Sequence, residues 1–421
     1  MKQRKNRNKK PKRHIRPSIL YFLIICAIAI SYICIAKPFH KEEDKWSGYA
    51  SANDNAKMIT SDSCLIFYPD GYQDSEALLE TLCANTGEVE VHDYTLRQDQ
   101  SYYYLSYGDK TITLLDAEMK VPSIPEELNE TALRKVSDYL RYTMKSSGRE
   151  EAYTVEFLEQ SYYKNITAMD LTYALEKDSL SIYCKPYEQK VLIPLKYIGE
   201  DIGISVRQQP YERPRYVDPS CKAIALTFDD GPSYDNSSRG IIDELYKYDG
   251  AGTFFLLGGR IHDATIPVIK DGIALGNQYG SHTMGHPDLT KLDPASMQRE
   301  VNGVGDILKN TFNYDMTIYR PPYGKYNGAV DASITLPAIM WEIDTKDWSL
   351  KDGQKIADAV MGSVSDRKIL LFHDIYDTTK QSLVDKGAIR SLVSQGYQLV
   401  TIDELAALRN VQLVQGTHFG W

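Results

Sequence analysis

Two adjacent carboxylates, Asp229 and Asp230, stand at the end of an apolar run over residues 223–228 and are followed by Gly231-Pro232. The run reads as a buried strand, whose successive side chains point to opposite faces. Both carboxylates reach one site only if the chain turns at once, which Gly-Pro favours. An Asp-Gly pair also serves as a plain turn or helix cap, and the residues downstream decide between the two uses. His282 and His286 lie four apart in Ser281-His282-Thr283-Met284-Gly285-His286-Pro287. Zinc proteases place two histidines at that spacing on a helix, but they carry Glu after the first; here Thr283 stands there, and Gly285 and Pro287 disfavour a helix. Two imidazoles with one carboxylate still make a donor set for catalytic zinc, with a position left open for water. Arg320, in Arg320-Pro321-Pro322-Tyr323-Gly324, sits in a rigid turn suited to holding a carboxylate through two parallel bonds. Further on, Asp344-Thr345-Lys346-Asp347-Trp348 and Leu371-Phe372-His373-Asp374 supply more acids and a third imidazole beside an acid, the pair that general acid chemistry requires.

Strand-like runs at 223–228, 252–257, 276–281, 317–319, 338–343, 368–372 and 398–402 precede or carry these clusters. Helical patterns fill most gaps. The clearest has Asp293 as cap, Pro294 in the first turn, and Met297, Val301, Val304 and Leu308 on one face. Seven strands alternating with helices over about 200 residues predict an α/β fold with a parallel sheet, closed as a barrel. Each polar cluster then falls at the C-terminal end of a strand, where such a barrel gathers its active site.

Those five clusters, in that order, resemble the five motifs of the polysaccharide deacetylase family, the NodB-like carbohydrate esterases. The resemblance covers residues 219–408. It implies a distorted (β/α)7 barrel and a divalent metal held by Asp230, His282 and His286. It further implies Asp229 as general base oriented by Arg320, and His373 as general acid tuned by Asp347. Tyr323 would give its backbone N–H to the oxyanion, while Trp348 and Leu371 would line the acetyl pocket. Zinc is the expected metal, since two imidazoles and one carboxylate offer too few oxygens for calcium or magnesium; cobalt or another transition metal is the alternative. The implied activity is N-deacetylation of N-acetylglucosamine in cell-wall peptidoglycan. N-acetylmuramic acid, chitin-like polymers, exopolysaccharides and O-acetylated xylan are alternative substrates for the same machinery. A catalytically dead glycan-binding module is disfavoured, because no chemical position is lost.

The rest of the chain places this domain. Residues 1–17 hold nine Lys or Arg and no acid; the whole chain nets -9, so the remainder nets -18. Residues 19–36 carry no charge and would span about 27 Å as a helix. With the basic block before them, residues 18–36 are expected to be a signal anchor, with residues 1–17 cytoplasmic and everything after outside the cell membrane. An apolar region of this length exceeds that of an ordinary cleaved signal peptide. The acidic remainder, without a basic stripe interleaved with aromatics, excludes nucleic acid as a partner. Residues 37–62 read as a polar tether. Residues 63–210 form an α+β module in which Asn129 caps a helix with Leu133, Val136, Leu140 and Met144 on one face. Residues 180–187 and 191–194 are weakly similar to an extracytoplasmic module of some wall-modifying enzymes and anti-sigma factors. Residues 208–219, with Pro210, Pro214 and Pro219, read as a linker, and 409–421 as a tail. Cys64, Cys83, Cys184 and Cys221 show no zinc spacing and are expected to be structural disulfides or free buried thiols.

Overall fold

The computed structural model describes residues 128–421, apart from 177, 178, 205–208, 417 and 421, together with the backbone of six strands between residues 56 and 115. The basic block, the charge-free segment and most of the tether lie outside these residues. Among the described residues no helix is long and apolar enough to cross a membrane. The chain divides into two compact units, Met1–Val136 with Thr167–Pro210, and Ser137–Ile166 with Tyr211–Trp421.

The first unit contains three small sheets. Strands β1 (Ala56–Thr60), β2 (Cys64–Pro69) and β3 (Glu90–Asp93) form one. β4 (Thr95–Asp99), β5 (Tyr102–Tyr107) and β6 (Lys110–Leu115) form the second, and β7 (Leu171–Glu176), β8 (Ser179–Cys184) and β9 (Gln189–Pro194) the third. β1 falls within the stretch read as tether, so pairing with β2 orders residues that composition alone marks as polar. The predicted helix is Glu130–Ser146 (α1), and the Asn129 side chain accepts from the Ala132 N–H at 2.8 Å, as a cap should.

The second unit is a parallel α/β assembly. β10 (Lys222–Asp229) is central, with β11 (Thr253–Leu256) and then β12 (Gln278–Ser281) on one side, and β15 (Lys368–His373) and then β14 (Ile343–Asp344) on the other; β16 (Tyr397–Leu399) also pairs β10. Single parallel bridges join Ser281 to Tyr319 and Tyr319 to Ala338, the first residue of β13 (Ala338–Ile339). The strand expected at 317–319 is thus reduced to a one-residue bridge, and that at 338–343 is split in two. The supposed tail contributes β17 (His418–Phe419), which pairs β13 and buries Phe419.

Alternation along β10 separates two environments. Phe228 stacks on Phe254 and Phe372, with ring centroids 4.7 and 5.6 Å apart. The opposite face carries Ala223 and Ala225, packed with Phe255, Ile318, Ile339, Ile369 and Phe419. Thr227 and Asp229 continue this second face toward the carboxyl end, where apolar filling gives way to the polar clusters. The helices cover the outside, among them Ser237–Lys247 (α2), Ile266–Ala274 (α3) and Pro294–Phe312 (α4). In α4 Asp293 caps through the Ser296 N–H at 3.0 Å, and Met297, Val301, Val304 and Leu308 are all buried.

Residues Ser137–Ile166, which the sequence reading puts in the preceding module, cluster with this second unit. Charges tie them to it. The buried Arg141 donates to the carbonyls of Tyr246 and Lys247 at 2.8 and 3.0 Å, satisfying the end of α2. Lys145 Nζ lies 2.5 Å from Asp249 Oδ2, and Arg213, from the stretch read as a linker, bonds the other oxygen. Burial alone would raise the pKa of Asp249, but Lys145 and Arg213 hold it well below the usual carboxylate range. Of the cysteines, Cys184 and Cys221 are free thiols; Cys64 and Cys83 lie outside the residues whose side chains are described.

Asp249 has a positive φ of 58°, which Asn tolerates, so Asp249→Asn removes its charge without backbone conflict. Leaving Lys145 buried without its carboxylate, and Arg213 with only Asp138 at 3.3 Å, should cost about 3–5 kcal/mol. Urea unfolding would check this, and a loss below about 1 kcal/mol would show the cluster to be dispensable.

Candidate active site

The predicted site residues on the second unit converge at the carboxyl ends of its strands. Asp229 closes β10, beside His373 in the register with β15. The turn that brings Asp230 to the same side is made by Asp230 itself, at φ 68°, rather than by the glycine after it. Asp is among the few residues that adopt this conformation at modest cost. Gly231 has a different duty, since a Cβ there would collide with the carboxylate of Asp374.

Asp230, His282 and His286 offer one ligand atom each, all within 4.8 Å of one another. The Nε2 atoms of His282 and His286 lie 3.6 and 3.5 Å from Asp230 Oδ1. That oxygen is buried and has no hydrogen-bond partner among the described residues. His282 Nδ1 lies 2.8 Å from the Arg320 carbonyl, which fixes Nδ1 as the protonated nitrogen and leaves the Nε2 lone pair facing the triangle. An orphaned carboxylate oxygen and two convergent imidazoles fit a divalent transition metal. His286 adopts φ 62°, and burial together with the neighbouring His282 lowers its pKa, favouring the neutral ring a ligand must have.

Arg320 is fully buried and each of its three side-chain nitrogens donates. Nη1 donates to Asp229 Oδ1 at 2.8 Å and to Thr227 Oγ1 at 2.9 Å, Nε to the Ile339 carbonyl at 2.9 Å, and Nη2 to the Met340 carbonyl at 3.0 Å. The expected two-point grip is therefore a single bond, because the second arm of the fork is spent on backbone. Oδ2 of Asp229 remains turned toward His282, 3.7 Å from Nε2. Burial alone would raise the pKa of Asp229, yet Arg320, helped by His282 and His373, holds it below the ordinary carboxylate range.

Asp347 is completely buried and saturated. Its Oδ1 lies 2.9 Å from His373 Nδ1 and accepts the Trp348 N–H at 2.8 Å; Oδ2 accepts the His373 N–H at 2.6 Å and the Thr379 hydroxyl at 2.7 Å. Asp347 is the partner that the motif resemblance implies for His373; Asp374, its neighbour in sequence, turns away to accept from the Ser238 hydroxyl. Burial pushes Asp374 up to about 7. For His373, burial opposes the charged ring, but the bond and charge of Asp347, with the charges of Asp229 and Asp230, push it up to about 9.

The remaining predicted residues frame the opening. Tyr323, at φ 62° and 62% exposed, sets its ring edge-on to His286 with centroids 4.6 Å apart. Trp348 is exposed, whereas Leu371 is buried and uses its carbonyl to accept from the Thr345 hydroxyl at 2.7 Å. Sequence reasoning missed Thr227, which braces Arg320, and Thr379, which braces Asp347. A hydroxyl two residues before a catalytic acid on one strand face was a usable signal for Thr227; nothing local marks Thr379.

The raised pKa of His373 means that its ring stays protonated at neutral pH and loses its proton only as pH rises toward about 9. Asp347→Asn should bring that value back toward the ordinary imidazole range, as followed by NMR titration of the ring in metal-free protein. An unchanged titration would show that Asp347 only packs against the ring.

Comparison with known proteins covers Asp229, Asp230, His282, His286, Arg320 and Tyr323 by a family model, and not Asp347 or His373. The family model for polysaccharide deacetylases matches residues 216–336. The peptidoglycan-N-acetylmuramic acid deacetylase PdaC of Bacillus subtilis is 30% identical over 320 residues, covering 75% of this chain and 64% of that protein. The peptidoglycan-N-acetylglucosamine deacetylase PgdA of Listeria monocytogenes is 38% identical over 184 residues, 44% of this chain and 39% of that protein. A chitooligosaccharide deacetylase of Rhizobium leguminosarum bv. trifolii is 32% identical over 154 residues, 36% of this chain and 71% of that protein. The chain thus spans less than two thirds of the length of the first two.

Proposed function

The chain belongs to the polysaccharide deacetylase family, and from that premise we propose that it hydrolyses the acetamide of N-acetylglucosamine residues in cell-wall peptidoglycan. The observation that carries the reading is a metal-type triangle, Asp230, His282 and His286, with Asp229 held by Arg320 and His373 held by Asp347 beside it. Asp230, His282 and His286 would hold the metal, and zinc suits their two nitrogens and one oxygen. A zinc ion held there supplies Lewis acidity, which makes water more acidic and an acyl carbonyl more electrophilic. We also read the bridged strands as one closed, distorted (β/α)7 barrel, a reading supported by the order β14-β15-β10-β11-β12 and by the bridges that carry it on from Ser281 through Tyr319 to Ala338 of β13.

The chain's own residues then divide the proton work. Asp229, kept ionised by Arg320, takes a proton from the attacking water on Oδ2, since Oδ1 is already engaged. The new C–O bond forms as the carbonyl becomes an oxyanion, with the Tyr323 backbone N–H as donor to it. His373, held through Nδ1 by Asp347, gives its Nε2 proton to the sugar nitrogen as the C–N bond breaks. Acetate and an amino sugar leave. Trp348 and Leu371 bound the acetyl methyl.

The Listeria relative, named for N-acetylglucosamine, supports that sugar at 38% identity. N-acetylmuramic acid is the second reading, favoured by the longer alignment to the Bacillus relative. We further propose that residues 18–36 anchor the enzyme, with the catalytic unit on the wall-facing side of the cell membrane; the charge-free segment behind a basic block supports this.

Purified protein should release acetate from peptidoglycan. Exhaustive chelation should abolish the release, and one equivalent of zinc should restore it. Mass spectrometry of the treated glycan should place the free amine on glucosamine. Undiminished release without metal would overturn the metal assignment, and amines confined to muramic acid would favour the second reading.

A further inference from the structure

After β11 the turn Gly258–Arg260 is bonded to both loops of the metal-type triangle. The Gly258 and Gly259 N–H groups donate to the carbonyls of Thr283 and Met284, each at 3.0 Å, and Arg260 Nε donates to the Pro232 carbonyl at 3.0 Å. Arg260 is thereby fixed beside the loops that carry Asp230, His282 and His286. Its guanidinium carbon lies 4.1 Å from the ring centroid of Tyr234, on which the exposed His262 ring also stacks at 5.1 Å and 14°. Tyr234 is nevertheless 62% exposed, so much of its surface stays open to solvent.

Arg260 contrasts with Arg320. The Pro232 carbonyl is the only hydrogen-bond partner of its guanidinium, and no carboxylate lies within ion-pair distance of it, among the described residues. Asp374 senses its charge but is committed to Ser238. A fixed, partly buried guanidinium with free terminal N–H groups, beside a largely exposed tyrosine, is suited to a pyranose that bears an anion.

We propose that Arg260 is a specificity-determining residue that reads a carboxylate on the glycan, next to the sugar whose acetamide reacts, with Tyr234 as the stacking surface. This rests on the deacetylase reading above. In peptidoglycan the carboxylate is the lactyl group of muramic acid or, where a stem peptide blocks that group as an amide, a carboxylate of the peptide. Chitin-like polymers have neither. Because the chain outside the basic block is strongly acidic, Arg260 acts by local contact rather than by long-range attraction.

The test compares kcat/KM for acetate release from chitotetraose, from an N-acetylglucosamine–N-acetylmuramic acid tetrasaccharide with free lactyl groups, and from the same tetrasaccharide carrying stem peptides. Wild-type protein should favour a carboxylate-bearing glycan over chitotetraose by about tenfold. Arg260→Gln should bring the ratio close to one, Arg260→Lys should keep part of it, and raised salt should shrink it in the wild type. Preference confined to the free-lactyl glycan identifies the lactyl group as the source, and preference confined to the peptide-bearing glycan identifies the peptide. Because a ratio is read, a lower active fraction in a variant does not affect it. An equal ratio in wild type and Arg260→Gln would overturn the assignment while leaving the deacetylase intact, whereas no acetate from any of the three would overturn the underlying activity.

Discussion

The single bond between Arg320 Nη1 and Asp229 Oδ1 is the constraint around which the site is built. Both groups are buried, so each depends on the other for its charge, and removing one partner of such a pair costs about 3–5 kcal/mol. Arg320 offsets its own desolvation by donating to Thr227 and to the carbonyls of Ile339 and Met340, and by lying 4.3 Å over the Phe255 ring. The same side chain thus binds β10, β13 and the bridge residue before it into one frame. Its carbonyl also orients His282. One residue therefore sets the ionisation of the base and the tautomer of a metal-type ligand.

The loops above that frame are held in conformations most residues avoid. Asp230, Thr283, His286, Tyr323 and Lys346 all have positive φ, between 61° and 71°. Each such residue stores about 1–3 kcal/mol, sustained only because the surrounding bonds fix the backbone. For Thr283, His286 and Tyr323 those bonds are visible: the Ser281 hydroxyl accepts the Thr283 N–H, the Thr283 hydroxyl accepts the His286 N–H, and Tyr323 packs on the His286 ring. At Asp230 and His286 this backbone brings both side chains to one triangle with His282.

Much of this was legible in the sequence because it rests on local rules. The apolar run before Asp229, the Asp293 cap with Pro294, and the order of the five polar clusters each follow from strand period, capping chemistry or motif spacing. What escaped notice depends on tertiary partners. Arg141 and Lys145 look like the solvated face of a helix until the carbonyls of Tyr246 and Lys247 and the carboxylate of Asp249 come into view. Phe419 sits in what reads as a tail, yet it fills the core because β13 has a free edge to pair. Arg320 was correctly placed near a carboxylate, but whether one or both arms of its fork reach it depends on two backbone carbonyls that no sequence pattern reveals. For His373, adjacency alone suggested Asp374, whereas the motif resemblance pointed to Asp347, 26 residues away, which is the carboxylate that packing brings to the ring.

The account stands on a division of labour between neighbouring carboxylates, Asp229 as base and Asp230 as ligand. Metal content and turnover measured together on Asp229→Asn and Asp230→Asn test it most directly. The first variant should bind one equivalent of zinc and lose at least about a hundredfold in acetate release, while the second should fail to retain the metal. Equal metal loss in both, or full turnover in Asp229→Asn with its zinc in place, would contradict the account.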